Sequence, residues 1–375
     1  MEFKKILLVA GEVSGDAHAA EMVKELQQLN KHLSFFGIGG EALNKLGMIL
    51  FYHVEQMAFL GIGEIIKHLP FIRKVNKDLL NWAANEKPDC AILVDYPGFN
   101  LRLAKSLKKL NIPVIYYISP QLWAWGKRRV KKIKKYVDKM IVLFPFEKKF
   151  YAEYGISADF AGHPLVDKHH SFLGSPKNKN NPDVIKIGLL PGSRKQEVSS
   201  LLPRMIETAR KLLKNKVVHC VEIIKVEHLH MDLYKSLLEQ TDKEITTIQK
   251  PLHECLPNYD AVMVASGTAT LECGYYGVPM LIVYHVNSLT YFLGKRLVKL
   301  KNIGLVNIVA EKQVASELIQ NNFTVSKAYT EMLRILDPKS NNDIRSELKV
   351  VSEKLGKPGA AKRAAESVLG FLNSV

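Results

Sequence analysis

The stretch YDAVMVASGTATLECGYYGVPMLIVYH, residues 259–285, decides the fold. Asp260 to Ala265 is a short apolar run that Ser266-Gly267-Thr268 breaks. Ala269 to Tyr276 suits a helix, and Gly277-Val278-Pro279 ends it before the apolar Met280 to Tyr284. The spacing predicts one β-α-β unit, which places a helix N-terminus at the carboxyl end of a buried parallel strand. Unpaired N–H groups and the helix dipole favour an anion there. Ser266, Gly267 and Thr268 are small enough to let a phosphate reach the backbone. Glu272 lies four residues after Thr268, one turn deeper on the same helix face, where its carboxylate can accept hydrogen bonds from a ribose diol. Alone, the stretch is better read as a plain N-cap followed by a solvated glutamate.

The same alternation runs through the rest of the chain. Lys4 to Ala10 reads as a strand, Gly11-Glu12-Val13-Ser14-Gly15-Asp16 as a glycine-bearing loop, and Ala17 to Leu29 as an amphipathic helix. A second turn is expected at Gly37-Ile38-Gly39-Gly40. Cys90 to Val94 is an apolar strand ended by Asp95-Tyr96-Pro97-Gly98-Phe99-Asn100. An aspartate at the end of such a strand is either a general base or the cap of the next helix. Pro113 to Ile118 is the next strand, followed by the aromatic loop Ser119 to Trp125. Val184 to Leu190 restarts the pattern after the polar, proline-bounded run Ser175 to Asp183, which reads as an interdomain linker. Ser193 with Gln196 has capping-box spacing for a helix reaching about Lys214, and Arg194 at its start can grip a diphosphate.

At 375 residues and 47% hydrophobic the chain can bury the cores of two domains. Cysteines 90, 220, 255 and 273 have no metal-like spacing, which suits buried free thiols. No run reaches the ~20 apolar residues of a spanning helix. The formal charge of +16 is uneven: residues 101–150 hold 14 Lys/Arg against Asp138 and Glu147. The helix after Trp123-Ala124-Trp125 carries Lys127, Arg128, Arg129, Lys131, Lys132, Lys134 and Lys135. It reads as a solvated face, a nucleic-acid contact or a surface for an anionic membrane, and the absence of nucleic-acid motifs argues against the second. Leu289 to Leu300 is another basic amphipathic helix. Met57 to Lys74 crowds apolar residues around two glycines and Pro70, as either a core helix or an element entering a lipid interface.

Six motifs, in order, then carry a resemblance. They are Gly11-Glu12-Val13-Ser14-Gly15-Asp16-Ala17-His18, Asp95 to Asn100, Ser119-Pro120 with Trp123-Ala124-Trp125, Gly162-His163-Pro164, Leu190 to Arg194, and Ser266 to Glu272. Together they resemble the lipid-A-disaccharide synthases, inverting glycosyltransferases of GT-B fold. The resemblance implies two Rossmann-like doubly wound α/β domains facing across a cleft. The first, 1–174, would serve the acceptor and the membrane; 175–183 would be the linker. The second, 184–350, would bind UDP-sugar, and a final segment, 351–375, is able to pack back on the first.

The reaction implied joins UDP-2,3-diacylglucosamine to 2,3-diacylglucosamine 1-phosphate (lipid X) on the cytoplasmic face of a Gram-negative inner membrane. No cofactor or metal is expected, a helix end and Arg194 neutralising the diphosphate. Asp95, His18 and Glu12 would be catalytic, with the base left open between Asp95 and His18. Gly192, Ser193, Arg194, Ser266, Gly267, Thr268, Glu272, Asn307 and Gln320 would surround the donor. Ser14, Gly15, Asp16, Asn100 and Trp125 would lie on the acceptor side, and Phe59, Leu60, Ile62, Ile65, Ile66 and Leu69 would meet the membrane. A homodimer is compatible with the family likeness, and no nucleic-acid partner is expected. Leu305-Val306-Asn307 and Ala315-Ser316-Glu317 depart from the family pattern, as does the segment Val217 to Leu229. A UDP-sugar epimerase of the same fold and a non-catalytic membrane adaptor are the competing readings. The apolar 57–72 segment argues against the first; Asp95, Arg194 and Glu272 argue against the second.

Overall fold

A computed structural model describes residues 3–57, 68–124, 126–172, 183–240, 242–286 and 302–375. The chain forms two compact units: Met1–Asp167 with Gly356–Val375, and Lys168–Leu355.

Unit 1 is built on β1 (Lys4–Ala10), β2 (Leu33–Gly39), β3 (Ile49–His53), β4 (Cys90–Val94), β5 (Val114–Tyr117), β6 (Lys139–Val142) and β7 (Ala158–Phe160). Their order is β3-β2-β1-β4-β5-β6-β7, and each neighbouring pair is parallel. Ile6–Ala10 and Cys90–Val94 are fully buried. Strands that are apolar on both faces require helices on both faces, and the α/β alternation of the sequence supplies them. Unit 2 repeats the plan with β8 (Lys186–Leu190), β9 (Cys220–Ile224), β10 (Ile245–Ile248), β11 (Ala261–Ala265), β12 (Met280–Tyr284) and β13 (Ser316–Ile319), in the order β10-β9-β8-β11-β12-β13. These pairs are parallel too. The doubly wound α/β architecture expected from the sequence is the one that forms.

In each sheet the strand order reverses once, between β1 and β4 and between β8 and β11. At such a point the flanking loops diverge and leave a crevice at the carboxyl ends of the strands. Gly11 and Asp95 follow the strands of the first switch; Pro191 and Ser266 follow those of the second.

Several local expectations shift. The first helix is Val13–Leu29, so Ser14, Gly15 and Asp16 belong to its first turn and the loop shrinks to Gly11-Glu12. Gly37 and Gly39 lie inside β2 rather than in a turn. Gly37 has φ of 140° at a register shift, and a Cβ there would strike the Leu8 carbonyl oxygen. The helix after β8 is capped by Glu197 at the Arg194 N-cap, not by Ser193 with Gln196. Within 57–74, Met57 is buried and Phe71 and Ile72 pack half-buried on the core. Leu69 opens the helix Leu69–Glu86, half-buried. Phe59, Leu60, Ile62, Ile65 and Ile66 lie outside the described residues, as do Trp125, the linker residues 175–182 and the helix expected at 289–300. None of the four cysteines is in a disulfide, and three of them are buried.

The C-terminal helix Ala360–Leu372 packs on Val13–Leu29. Asp167 anchors its start by accepting the backbone N–H groups of Gly359, Ala360 and Ala361 at 2.6, 3.0 and 3.0 Å. In unit 2, Arg345 donates to the carbonyls of Gly277 at 2.8 Å and Asp260 at 3.2 Å, tying together the segments that lead into the two strands of the 259–285 β-α-β unit.

Gly37→Ala should destabilise the protein by about 3 kcal/mol, the upper end for a side chain forced into a backbone region it avoids. Thermal unfolding of the variant should show a clearly lowered midpoint, and an unchanged midpoint would mean that β2 relaxes its register at no cost.

Candidate active site

Unit 1 concentrates strain and desolvated acids at its switch point. Asp95 and Tyr96 both have left-handed backbone, φ 44° and 45°, and Tyr96 precedes Pro97, where helical geometry is further disfavoured. Two consecutive non-glycine residues in that region persist only where their surroundings dictate it. Asn100, with no exposed surface, donates its amide to the carbonyls of Val94 at 3.1 Å and Asp95 at 2.9 Å. The Tyr116 hydroxyl donates to the Asp95 carbonyl at 2.6 Å. The Tyr96 ring lies over Gly11, where any Cβ would strike it.

Burial raises the Asp95 carboxyl to about 6, and the neighbouring Glu12 carboxylate adds to the effect. The group is therefore mostly ionised at neutral pH but far more basic than a surface aspartate. His163, in Gly162-His163-Pro164, is held down to about 3 by burial and then by the nearby His18. Its Nδ1 accepts the Leu165 N–H at 3.1 Å, which leaves the ring proton on Nε2. Glu147 is buried and pushed up to about 7, although the N–H groups of Leu143 and Phe144 and the Trp123 indole donate to it. It thereby fixes the aromatic loop at the ends of β5 and β6. Ser14 is exposed, and Gly15 is buried against the sheet. Asp16 turns inward, accepting the backbone N–H groups of Gly40, Ala42 and Leu43.

Unit 2 contains a cavity of about 940 Å³ at the ends of β8, β9, β10 and β11. It brings together Gly192, Ser193, Arg194, Ser266, Gly267, Thr268 and Glu272. Its cationic side chains Lys168, Arg194, Lys225 and Lys250 outnumber its carboxylates Glu197, Glu227 and Glu272. Arg194 is 75% exposed and only 3.4 Å-linked to Glu197, so its guanidinium is available to an anion. The backbone N–H groups of Ser193 and Arg194 are already taken by Glu197 Oε2, at 3.1 and 3.2 Å. Gly267, by contrast, has open space around it. Burial raises the Glu272 carboxyl, with Lys168 opposing the shift.

Asn307 and Gln320, expected at the donor, are not in the cavity wall. Asn307 is fully buried; its amide donates to Ala315 O and Glu317 Oε1 and its oxygen accepts from Val314 and Ala315 N–H. Glu317 in turn accepts the N–H groups of Ile303 and Gly304, and the Ile303 carbonyl takes the Ser266 hydroxyl at 3.2 Å. The pair thus braces the Ser266 turn from behind. Gln320 exchanges two hydrogen bonds with the Val286 backbone. Polar residues beside a strand end serve ligand or backbone alike, and here Asp16, Asn100, Asn307 and Gln320 serve backbone.

Other lining residues escaped the sequence reading. Lys225, 7% exposed, donates to Val226 O, Glu227 O and Gln249 Oε1, joining the loops after β9 and β10. Gln249 to Leu252 follow β10, and applying the strand-end rule there would have found them. His169 and His253 had no local signal at all.

Two parallel doubly wound sheets with an anion-suited cavity at the second switch point define a GT-B class protein. Solved structures agree on the fold. The calicheamicin glycosyltransferase CalG4 matches at TM-score 0.63, with 15% identity, over 100% of this chain and 99% of that one. Acinetobacter baumannii MurG matches at 0.62 with 13% identity, over 99% and 100%. Neisseria meningitidis UDP-GlcNAc 2-epimerase matches at 0.59 with 12% identity, over 99% and 100%. Sequence decides among them. The family described as lipid-A-disaccharide synthetase matches residues 6–368. The lipid-A-disaccharide synthase of Syntrophus aciditrophicus is 40% identical over 378 residues, 99% of each chain, and that of Myxococcus xanthus is 38% identical over 98% of this chain and 97% of its own. The chain belongs to the lipid-A-disaccharide synthase family and is a glycosyltransferase.

Glu12→Gln should lower the Asp95 pKa, because it removes the second cause of the shift and leaves burial in place. Carboxyl-carbon NMR titration of both proteins checks this. Identical titration curves would remove Glu12 from the electrostatics of Asp95.

Proposed function

We propose that the protein transfers the 2,3-diacylglucosaminyl group of its UDP derivative to the 6-hydroxyl of 2,3-diacylglucosamine 1-phosphate. The products are UDP and the β-1,6-linked disaccharide 1-phosphate of lipid A biosynthesis. Unit 1 is the acceptor side and unit 2 the donor side. The observation that carries the reading is the unit 2 cavity, which combines an unburied arginine, an open glycine turn and a half-buried glutamate at one switch point. Family membership sets the transferase above the epimerase reading.

In the inverting displacement, the acceptor oxygen forms its bond to the anomeric carbon as the bond from that carbon to the diphosphate oxygen breaks. The hydroxyl proton passes to Asp95, and UDP leaves with the bonding pair. Asp95 suits the task because a base near neutral pKa is ionised yet still takes a proton readily. Arg194 and the Ser266-Gly267-Thr268 backbone stabilise the charge that develops on the leaving group. Glu272 accepts the ribose diol, and the segments Ile224–Val226 and Gln249–Leu252 flank the uracil.

Asp95→Asn should lower turnover by roughly 10²–10⁴ with UDP affinity retained. In the unsubstituted enzyme, turnover should fall as pH drops through about 6, since the protonated carboxyl is inactive and the ionised form accumulates above that value. Near-normal turnover of Asp95→Asn would pass the role to His18 or a water. Arg194→Ala should weaken UDP binding by roughly ten- to a hundredfold, the equivalent of one charge-assisted hydrogen bond. Calorimetry that shows unchanged affinity would move the diphosphate elsewhere.

Among the described residues no helix is long and apolar enough to cross a membrane. Both substrates are amphiphiles, so we place the enzyme on the anionic cytoplasmic surface of the inner membrane. The helix Val130–Tyr136 supports this: Val130 and Ile133 are buried, which turns Lys131, Lys132, Lys134 and Lys135 outward. Each basic residue near such a surface contributes about 1 kcal/mol, an attraction that salt screens. Sedimentation with phosphatidylglycerol vesicles should fall with added salt and with Lys→Gln changes at 131, 132, 134 and 135. Salt-independent sedimentation of the quadruple variant would assign the contact to other residues.

A further inference from the structure

His169 has only 2% of its surface exposed, yet its Nε2 has no hydrogen-bond partner. A buried ring nitrogen left in that state is unfavourable and calls for an explanation. The Nδ1 atom lies 3.1 Å from the Tyr276 hydroxyl. Burial pushes that phenol up to about 12, so it keeps its proton and can donate to Nδ1. Burial likewise holds the imidazole down to about 4, so the ring is neutral at physiological pH. With Nδ1 accepting, the single ring proton resides on Nε2. That atom faces the cavity wall 3.7 Å from Glu272 Oε2, just beyond a direct hydrogen bond.

We propose that His169 is a positioning residue, whose Nε2–H holds the Glu272 carboxylate in the orientation that accepts the ribose diol of the donor. The inference rests on the assignment of Glu272 to the ribose. A carboxylate on a two-bond stem rotates freely unless one oxygen is anchored, and a diol is recognised well only when the plane of the acceptor is set. A small rotation of Glu272 closes the gap to Nε2. The ring itself cannot follow, because Tyr276 meets it edge-on at 5.7 Å, Tyr275 packs at 6.5 Å, and His253 packs at 5.8 Å. His253 is in turn stacked on Phe172 at 4.2 Å. An apolar ring would fill the same space; what it would lack is the donor aimed at Glu272.

The experiment measures calorimetric affinities for UDP and 2′,3′-dideoxy-UDP in the full-length protein and in His169→Phe, His169→Gln and Glu272→Gln. His169→Phe should weaken UDP roughly tenfold and leave dideoxy-UDP unchanged, while His169→Gln, which retains an N–H at similar reach, should keep most of the preference for UDP. Equal weakening of both nucleotides in His169→Phe, or no weakening of either, overturns the proposal. Should His169→Phe fail to fold, His169→Met, adaptable in shape and without a donor, takes its place under the same criteria. If Glu272→Gln leaves the preference for UDP intact, the ribose assignment itself is wrong. If Glu272→Gln abolishes it and His169→Phe does not, only the positioning role falls.

Discussion

Parallel pairing of every described strand in both sheets is the constraint from which the rest follows. When each strand runs the same way, the loops leaving the carboxyl ends share one edge of their sheet, and strand order must reverse once to place helices on both faces. The reversals set Gly11 beside Asp95 in unit 1 and the Gly192 turn beside the Ser266 turn in unit 2. At these points the chain departs from relaxed geometry. Asp95 and Tyr96 hold a left-handed backbone because Asn100 and Tyr116 grip the carbonyls around them. The strain is local, and the fully buried strands behind it make the surroundings rigid enough to sustain it.

The two switch points are electrostatically opposite. In unit 1 burial and a neighbouring carboxylate raise an acid toward neutrality, the condition for a base that works near pH 7. In unit 2 lysines and an exposed arginine surround a cavity that an anion can enter. Neither arrangement is a property of the fold alone. The same architecture carries glycosyltransferases and sugar-nucleotide epimerases among its structural relatives, so function here rests on particular side chains and on family membership.

Much of this was legible in the chain. Continuous apolar runs of five to seven residues, each ended by small or polar residues, fit by their length the strands of a sheet covered on both faces. Strand ends then point to Asp95, Arg194, Ser266 to Thr268 and Glu272 by position. The sequence is ambiguous where a polar residue beside a strand end has two uses. Asp16, Asn100, Asn307 and Gln320 carry the same groups whether they meet a ligand or a backbone amide, and their neighbours in space come from segments 5 to 91 positions away.

What the sequence determined by itself was therefore periodicity: which segments are strands, where each one ends, and which family the ordered motifs belong to. Only the tertiary structure decided pairing and burial. It turned Lys225 to join two loops, placed Glu197 on the backbone N–H groups of Ser193 and Arg194, and set His169 against a glutamate 103 positions further along the chain. The physical reason is that hydrogen-bond satisfaction and desolvation depend on atoms brought together by folding, and no local pattern of residue types records which atoms those will be.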